Sequence, residues 1–201
     1  KCKDWPMPRI NTSNLVQQRE WRRSELISAA AAIALESGSE AITVAAVAQR
    51  AGLARTSVYE YFGSSAELVA DLIIEELSAF TDILVTAVEP ANLPEEAIAN
   101  WINSALQYIA DGRHLLAKAL SATSLPVNRS AEIGAAHRAL LAPLTSALTE
   151  IGVRDLNYAL SMIQSLTDAA TKRIENGNSA ETEISKTTAF CIAGLRTLIE
   201  S

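Results

Sequence analysis

The sequence predicts an all-α protein with an N-terminal helix-turn-helix module and a C-terminal helical domain, about nine helices in all. Three observations support this fold class. Among the 201 residues, 49% are hydrophobic and only eight are glycine. Alanine and leucine recur at helical spacing, and no run alternates β-branched with polar residues as a strand would. A chain of this length buries a sizeable core, and no segment has the roughly 18 uninterrupted apolar residues of a membrane span.

Residues 41–68 contain the most specific local pattern. Apolar residues lie on one side of a predicted helix over 43–51, and Gly52 follows where the backbone must turn. A second short helix is predicted over 55–62, with its apolar residues four apart and facing inward. The other side of this second helix carries a guanidinium, two hydroxyls and a phenol, from Arg55, Thr56, Ser57 and Tyr59. Groups of this kind suit base edges and phosphates in a major groove.

An ordered set of residues then identifies a family. The set consists of Gly38, Ile42-Thr43-Val44, Val47-Ala48, Ala51-Gly52-Leu53, Ser57-Val58-Tyr59, Tyr61-Phe62, Ser64, Glu67 and Leu68. With these residues, the stretch 24–68 resembles the DNA-binding domain of TetR-type transcriptional regulators. The resemblance covers roughly a quarter of the chain, and the remainder agrees with the family in being helical and of suitable length.

Three positions depart from the family's pattern. Ala54 stands where the family usually has a serine that caps the recognition helix, and Ser65 stands where it usually has a lysine. Glu60 adds a negative charge to the recognition helix. The missing cap is worth about 1 kcal/mol, and the missing lysine removes one phosphate contact. We therefore keep an alternative in view, a helical small-molecule-binding or protein-interaction protein that has lost operator recognition.

The resemblance implies a ligand-responsive regulator, most often a repressor, that binds a palindromic operator in double-stranded DNA as a homodimer. By this resemblance Arg55, Thr56 and Ser57 read bases, and Thr43, Tyr59 and Tyr61 grip phosphates. The charge distribution agrees with such a module. Residues 1–62 hold eight Lys/Arg and six Asp/Glu, a net charge of +2, whereas the remaining residues bring the total to −6.

The predicted elements divide the chain into an irregular N-terminal arm (1–18), a DNA-binding domain (19–66) and a ligand-binding and dimerisation domain (67–201). The first helix is predicted from about Arg19 to Ser37, and the fourth from the capping box at Ser64 to about Val88. Later helices are predicted over 93–110, 113–121, 130–150, 155–175 and 179–200. Pro143 is expected to kink or split the helix that contains it.

The last two predicted helices are amphipathic and form an antiparallel pair. In the family such a pair commonly completes a four-helix bundle with a second copy of the chain. The residues predicted to form the dimer interface are Leu156, Leu160, Ile163, Ile192, Leu195 and Ile199. The alternative is that these side chains pack only on their own chain.

An apolar or aromatic effector is predicted in the C-terminal domain, because few polar residues occur among its many Leu, Ile and Ala residues. The candidate lining residues are Trp101, Tyr108, His114, Arg138, Tyr158, Met162, Gln164 and Asp168. Ordinary packing is the competing interpretation for each of them.

No catalytic or metal-binding pattern is found. The two histidines and two cysteines form no cluster with ligand spacing, and no nucleophile motif is present. Acidic pairs such as Glu75-Glu76 are expected to be solvated on helix surfaces. The sequence therefore predicts a protein that is not an enzyme, needs no cofactor and acts in the reducing cytoplasm without a membrane.

Overall fold

The computed structural model describes residues 12–120 and 126–199, with side chains described from residue 16 onward. These residues form nine α-helices and two short 3-10 turns, at Ser39–Ala41 and Val127–Arg129. The helices are α1 (Thr12–Ser37), α2 (Val44–Arg50), α3 (Arg55–Tyr59), α4 (Ser65–Val88), α5 (Pro94–Ala110), α6 (Leu115–Leu120), α7 (Ser130–Glu150), α8 (Leu156–Glu175) and α9 (Ala180–Ile199). The predicted all-α fold class is confirmed, since no strand occurs in the described residues.

The N-terminal core is formed where α1 to α4 meet. Leu26 of α1, Val47 of α2, Val58 of α3 and Leu68 of α4 are fully buried in one hydrophobic cluster. Leu116 and Leu120 of α6 join this cluster, although α6 lies far along the chain. The N-terminal part is therefore packed directly against a helix of the C-terminal part.

A second hydrophobic core holds the C-terminal helices together. Its largest fully buried side chains come from the end of α4, from α5 and from α7. They are Leu84, Ile98, Ile102, Leu106, Leu144 and Leu148. The helices α8 and α9 pack on this core as a pair, with Ala159, Ile163, Cys191 and Leu195 buried against it.

Side-chain caps explain where several helices begin. Ser64 accepts a hydrogen bond from the backbone N–H of Glu67 (3.2 Å), and the Glu67 carboxylate accepts one from the N–H of Gly63 (3.0 Å). This arrangement is close to the predicted capping box, with the reciprocal bond shifted by one residue. Asp155 caps α8 through the N–H of Tyr158 at 3.0 Å.

Two expected elements differ from the observed ones. The first helix begins at Thr12 rather than Arg19, so the second part of the expected irregular arm is helical; residues 1–11 lie outside the described residues. Pro143 does not split its helix, because α7 continues from Ser130 to Glu150. Packing on both sides of the proline explains this, since Leu140 and Leu144 belong to the C-terminal core.

An ion-pair cluster joins the two parts of the molecule. Arg23 of α1 contacts Asp71 and Glu75 of α4, each at 2.6 Å. Arg129, which precedes α7, contacts the same Asp71 and also Glu132. Asp71 therefore bridges the first helix of the N-terminal part and the start of α7. We refer to these five residues as the Asp71 cluster.

Candidate nucleic-acid interface and effector cavity

The helix-turn-helix is formed by α2, α3 and the turn between them. Gly52 has a φ of 66°, a left-handed conformation that side chains other than glycine rarely adopt. The N–H of Leu53 donates to the carbonyl of Ala48 at 2.9 Å, which closes the turn. Val47 and Val58 are fully buried beneath the turn and fix the angle between the two helices. The outer side of α3 is thus held in a fixed position.

The six residues predicted to contact DNA are accessible to different degrees. Thr43, Arg55, Thr56 and Tyr59 are exposed, with Tyr59 at 53% despite its large ring. Ser57 and Tyr61 are half-buried. Thr43 also caps α2, because its hydroxyl oxygen accepts a hydrogen bond from the N–H of Ala46 at 3.1 Å. That hydroxyl still has its hydrogen to donate to a phosphate.

Residues of α1 extend this surface. The guanidinium of Arg19 lies 5.8 Å from the centre of the Tyr61 ring and donates a long hydrogen bond to the carbonyl of Glu60 (3.4 Å). Arg22, one helical turn further along, lines a shallow surface cleft beside Glu60 and Tyr61. Residues three apart on a helix lie on the same side, so both arginines border this surface.

The recognition helix α3 begins without a side-chain cap, and the arginine that precedes it at the end of α2 is paired with a carboxylate. The N-terminus of α3 has no side-chain cap, since Ala54 occupies the cap position. Arg50 at the end of α2 forms two hydrogen bonds with Glu36, one of them at 2.6 Å, and so is already paired. The carboxylate of Glu36 consequently has a lowered pKa, chiefly because of the hydrogen bond from Arg50.

A cavity of about 440 Å³ lies between α4, α5, α6 and α7. We call it the α4–α7 cavity. Its apolar walls come from all four helices, and they include a stacked ring pair, Phe80 and Tyr108, whose centroids are 4.2 Å apart. The apolar lining residues are Ile73, Leu77, Phe80, Ile109, Ala117, Leu120, Ile133 and Leu140. The volume and the lining are those of a small-molecule site.

Among the residues that the structure describes, four polar ones line this cavity, namely Glu76, Tyr108, His114 and His137. Glu76 was expected to be a solvated surface residue, and this expectation is wrong because α4 turns it toward the cavity. Burial raises the pKa of its carboxyl; the positive charge of Arg113 opposes this shift, and the negative charge of Glu75 adds to it. Burial likewise raises the pKa of the Tyr108 phenol, with a contribution from Glu76.

The hydrogen bonds of the two histidines define which ring nitrogens carry protons. His137 Nδ1 lies 3.0 Å from the carbonyl oxygen of Ile133, which only accepts, so Nδ1 is the donor. In the neutral ring His137 Nε2 is then an acceptor. His114 Nε2 lies 2.9 Å from the carboxylate of Glu175, which also binds Lys118 at 2.6 Å. His114 Nδ1 is buried and has no partner among the described residues.

The predicted effector residues do not converge on one site. Tyr108 and His114 line the α4–α7 cavity. Trp101, Gln164 and Asp168 line a smaller cleft of about 210 Å³ between α5, α7 and α8. The two spaces share the side chains of Phe80, Ile109 and Leu140.

The other three predicted effector residues lie elsewhere. Met162 and Tyr158 border a groove between α8 and α9, and Arg138 is exposed on α7. Trp101 is buried and donates a hydrogen bond from its indole nitrogen to the carbonyl of Leu140 at 3.3 Å. Their spacing of seven residues predicted Trp101 and Tyr108 on one face of α5. In the structure Tyr108 lines the α4–α7 cavity and Trp101 lines the smaller cleft.

The residues predicted for the dimer interface also differ in exposure. Ile163 and Leu195 are buried in the core of their own chain, and Ile199 is exposed. Leu156, Leu160 and Ile192 are half-buried and pack against the same core. The large apolar side chains that α8 and α9 leave exposed are Tyr158, Met162, Phe190 and Ile199. Three of them, Tyr158, Met162 and Phe190, line a groove of about 170 Å³ between α8 and α9.

Fold and site define a class of protein: a helix-turn-helix module joined to a helical domain that encloses a cavity. Residues 26–72 match the family described as bacterial regulatory proteins, tetR family. The predicted resemblance is thereby confirmed, and this segment is a DNA-binding domain of the TetR family. No curated protein sequence matches the chain.

Solved structures show the same TetR-like fold over most of the chain. The regulator FadR from Bacillus subtilis, in complex with stearoyl-CoA, is 21% identical with a TM-score of 0.70, and the match covers 85% of this chain and 98% of that one. FadR from Bacillus halodurans, a fatty acid degradation regulator, is 20% identical with a TM-score of 0.68, covering 85% and 94%. A transcriptional regulator from Pseudomonas aeruginosa is 17% identical with a TM-score of 0.72, covering 89% and 92%.

These relatives are transcription regulators rather than enzymes. Within residues 12–120 and 126–199, no three His, Cys, Asp or Glu side chains are grouped so that they would hold a metal ion. None of the helices in the same residues is long and apolar enough to cross a lipid bilayer.

Proposed function

We propose that this chain is a ligand-responsive transcriptional repressor that binds a palindromic operator as a homodimer. An apolar or aromatic effector in the α4–α7 cavity would release it from the DNA. Because its partner would be chromosomal DNA, it would act in the cytoplasm. In this proposal Arg55, Thr56 and Ser57 read bases, and Thr43, Tyr59 and Tyr61 hold phosphates.

One observation carries this proposal. Leu120 of α6 belongs to the buried cluster beneath the helix-turn-helix and also lines the α4–α7 cavity. A ligand that moves α6 would therefore shift a side chain on which the DNA-binding core is packed. If the ligand-bound arrangement spaces the two recognition helices of the dimer differently, operator affinity falls by thermodynamic linkage.

The cavity indicates the chemical class of the effector rather than one particular compound. The Bacillus subtilis FadR structure holds stearoyl-CoA, and an acyl chain is one kind of apolar group that the walls of this cavity would accept. The second cleft, lined by Trp101, Gln164 and Asp168, adjoins the cavity through shared side chains and would accommodate a longer ligand.

The experiment begins by selecting bound duplexes from a random DNA library with the wild-type protein. Affinity for the selected duplex is then measured by fluorescence anisotropy for wild type, Arg55→Ala and the control Arg154→Ala, which removes an exposed arginine between α7 and α8. We expect Arg55→Ala to lose about 1–3 kcal/mol of binding free energy, because its guanidinium can donate two hydrogen bonds to a guanine. The control should bind like wild type.

Equal affinity of wild type and Arg55→Ala would remove Arg55 from the base-reading role. Failure to select any duplex would favour the rival function, a helical binding protein without operator recognition. The uncapped recognition helix at Ala54 is the observation that keeps this rival under test.

A further inference from the structure

The charge of Glu76 is not balanced within the cavity that it lines. The structure shows no hydrogen bond or ion pair for this carboxylate within the described residues, although it is half-buried. The positive charge of Arg113 acts on this carboxylate, but its guanidinium is exposed and lies over the Tyr108 ring at 4.9 Å. A half-buried carboxylate without a direct partner is stabilised by a paired cation, and a ligand in the cavity can supply that cation.

Of the two histidines that line the cavity, His137 offers an acceptor to a donating ligand. His137 Nε2 is an acceptor in the neutral ring, since Nδ1 donates to the Ile133 carbonyl. His114 directs its Nε2 to Glu175, outside the set of residues that line the cavity. No lysine or arginine belongs to the lining within the described residues, so an anionic head group would meet Glu76 without a fixed cation to bind it.

The aromatic wall contributes apolar surface for the body of the ligand. Phe80 and Tyr108 stack against each other at the cavity, and Arg113 already lies over the Tyr108 ring at 4.9 Å. Ile73, Leu77 and Leu140 provide apolar surface for the rest of the molecule.

We propose that the α4–α7 cavity takes an apolar organic cation, an alkyl or aromatic ammonium ion whose charge pairs with Glu76. This inference rests on the proposed function in so far as the cavity is the effector site, and it adds the charge of the effector.

The test compares three probes of one shape and three charges: octylamine, octanol and octanoate. Their binding to the full chain is measured by calorimetry at neutral pH, for wild type, Glu76→Gln and the control Asp82→Asn. Asp82 is an exposed carboxylate on the same helix, so the control removes the same charge away from the cavity. Octylamine should bind wild type and the control about tenfold or more tightly than octanol. In Glu76→Gln that preference should disappear, and a thermal melt confirms that the variant is folded.

Three outcomes would overturn the proposal: octanol or octanoate binding wild type as tightly as octylamine, an amine preference that survives Glu76→Gln, or no binding of any probe. A second measurement, release of the selected operator by octylamine, separates this proposal from the proposed function. Tight amine binding that depends on Glu76 but leaves DNA bound would support the charge assignment and contradict the release mechanism. Release by octanol and octylamine alike would support the effector site and contradict the charge assignment.

Discussion

At the scale of single residues, Glu76 is one of several side chains on one face of α4 that line the cavity. Ile73, Glu76, Leu77 and Phe80 follow the spacing of one face of α4, and all four line the α4–α7 cavity. Its neighbour Glu75 points elsewhere and forms an ion pair with Arg23 at 2.6 Å. Adjacent residues on a helix point about 100° apart, so Glu75 forms a surface ion pair while Glu76 lines the cavity.

The raised pKa of Glu76 leads to a prediction about stability and pH. A carboxyl whose pKa is raised in the folded state binds more protons folded than unfolded, so the free energy of unfolding falls as pH rises above the ordinary value near 4.5. Glu76→Gln should therefore gain stability relative to wild type between about pH 4 and pH 7. Thermal melts across this range measure it. The control Asp82→Asn should stay within about 0.5 kcal/mol of wild type throughout. A Glu76→Gln curve parallel to wild type would show that the carboxyl is not penalised by burial.

At the scale of elements, the recognition helix α3 is short and uncapped. Ala54 has the extended backbone of a cap residue, with φ −71° and ψ 146°, but no side chain to accept a hydrogen bond. Packing of Val58 and Phe62 in the N-terminal core holds the helix in place instead. A five-residue helix cannot persist without such tertiary contacts.

A serine at this position should therefore stabilise the domain. Ala54→Ser supplies an acceptor for the N–H groups of the first turn, worth about 0.5–2 kcal/mol. The free energy of unfolding, from urea titration, measures the gain. The matched control is Ala142→Ser, an exposed site in the middle of α7, where serine should lower helix stability slightly. If both variants change stability alike, the effect is not capping.

The α8–α9 pair leads to a prediction about assembly. Leu195, at 5% exposure, is part of its own core, so a charge there would disrupt the domain rather than only a dimer. Phe190 is 66% exposed on the same helix and is the better probe. Phe190→Glu should give monomers with unchanged helix content, because a charge in a desolvated interface costs several kcal/mol.

Sedimentation measures the mass, and Leu35→Glu is the matched control. Leu35 is 56% exposed on α1, away from the α8–α9 pair, so this variant should remain dimeric. A dimer that persists in Phe190→Glu would place the interface on another surface.

At the scale of the whole molecule, the Asp71 cluster and α6 connect the DNA-binding part to the cavity domain. Asp71 is only 15% exposed and accepts hydrogen bonds from arginines of two different elements. Leu116 and Leu120 provide a second, apolar connection. The two parts are therefore coupled through a short and well-packed region.

Asp71→Asn tests this connection. It removes the charge that Arg23 and Arg129 share, which should lower the free energy of unfolding by about 1–3 kcal/mol. Calorimetry should show the N-terminal part melting earlier than the C-terminal part. The control Glu95→Gln breaks an exposed ion pair with Arg196 (2.6 Å) and should change stability by about 1 kcal/mol or less. A single unshifted transition in Asp71→Asn would mean that the cluster contributes little to the coupling.

The sequence predicted the elements well because their signals are local. The turn at Gly52, the cap at Ser64 and the helical spacing of apolar residues each depend on a few neighbouring side chains. The start of α1 was misplaced by seven residues, from Thr12 to Arg19, because its first turns carry no strong apolar face. Expectations for the cavity were less accurate. Tyr108 and His114 line it, whereas Glu76 and His137 were not predicted.

By itself, the sequence determined the helical fold class and the TetR-type module, since periodicity, capping and turn residues act within a few positions along the chain. Only the tertiary structure decided which face of each amphipathic helix packs on the core of its own chain and which face remains exposed. It set Leu195 inside and Phe190 outside, and it turned Glu76 toward a cavity formed by four helices. These outcomes depend on the relative positions of helices far apart in the chain, which long-range packing fixes and local spacing does not encode.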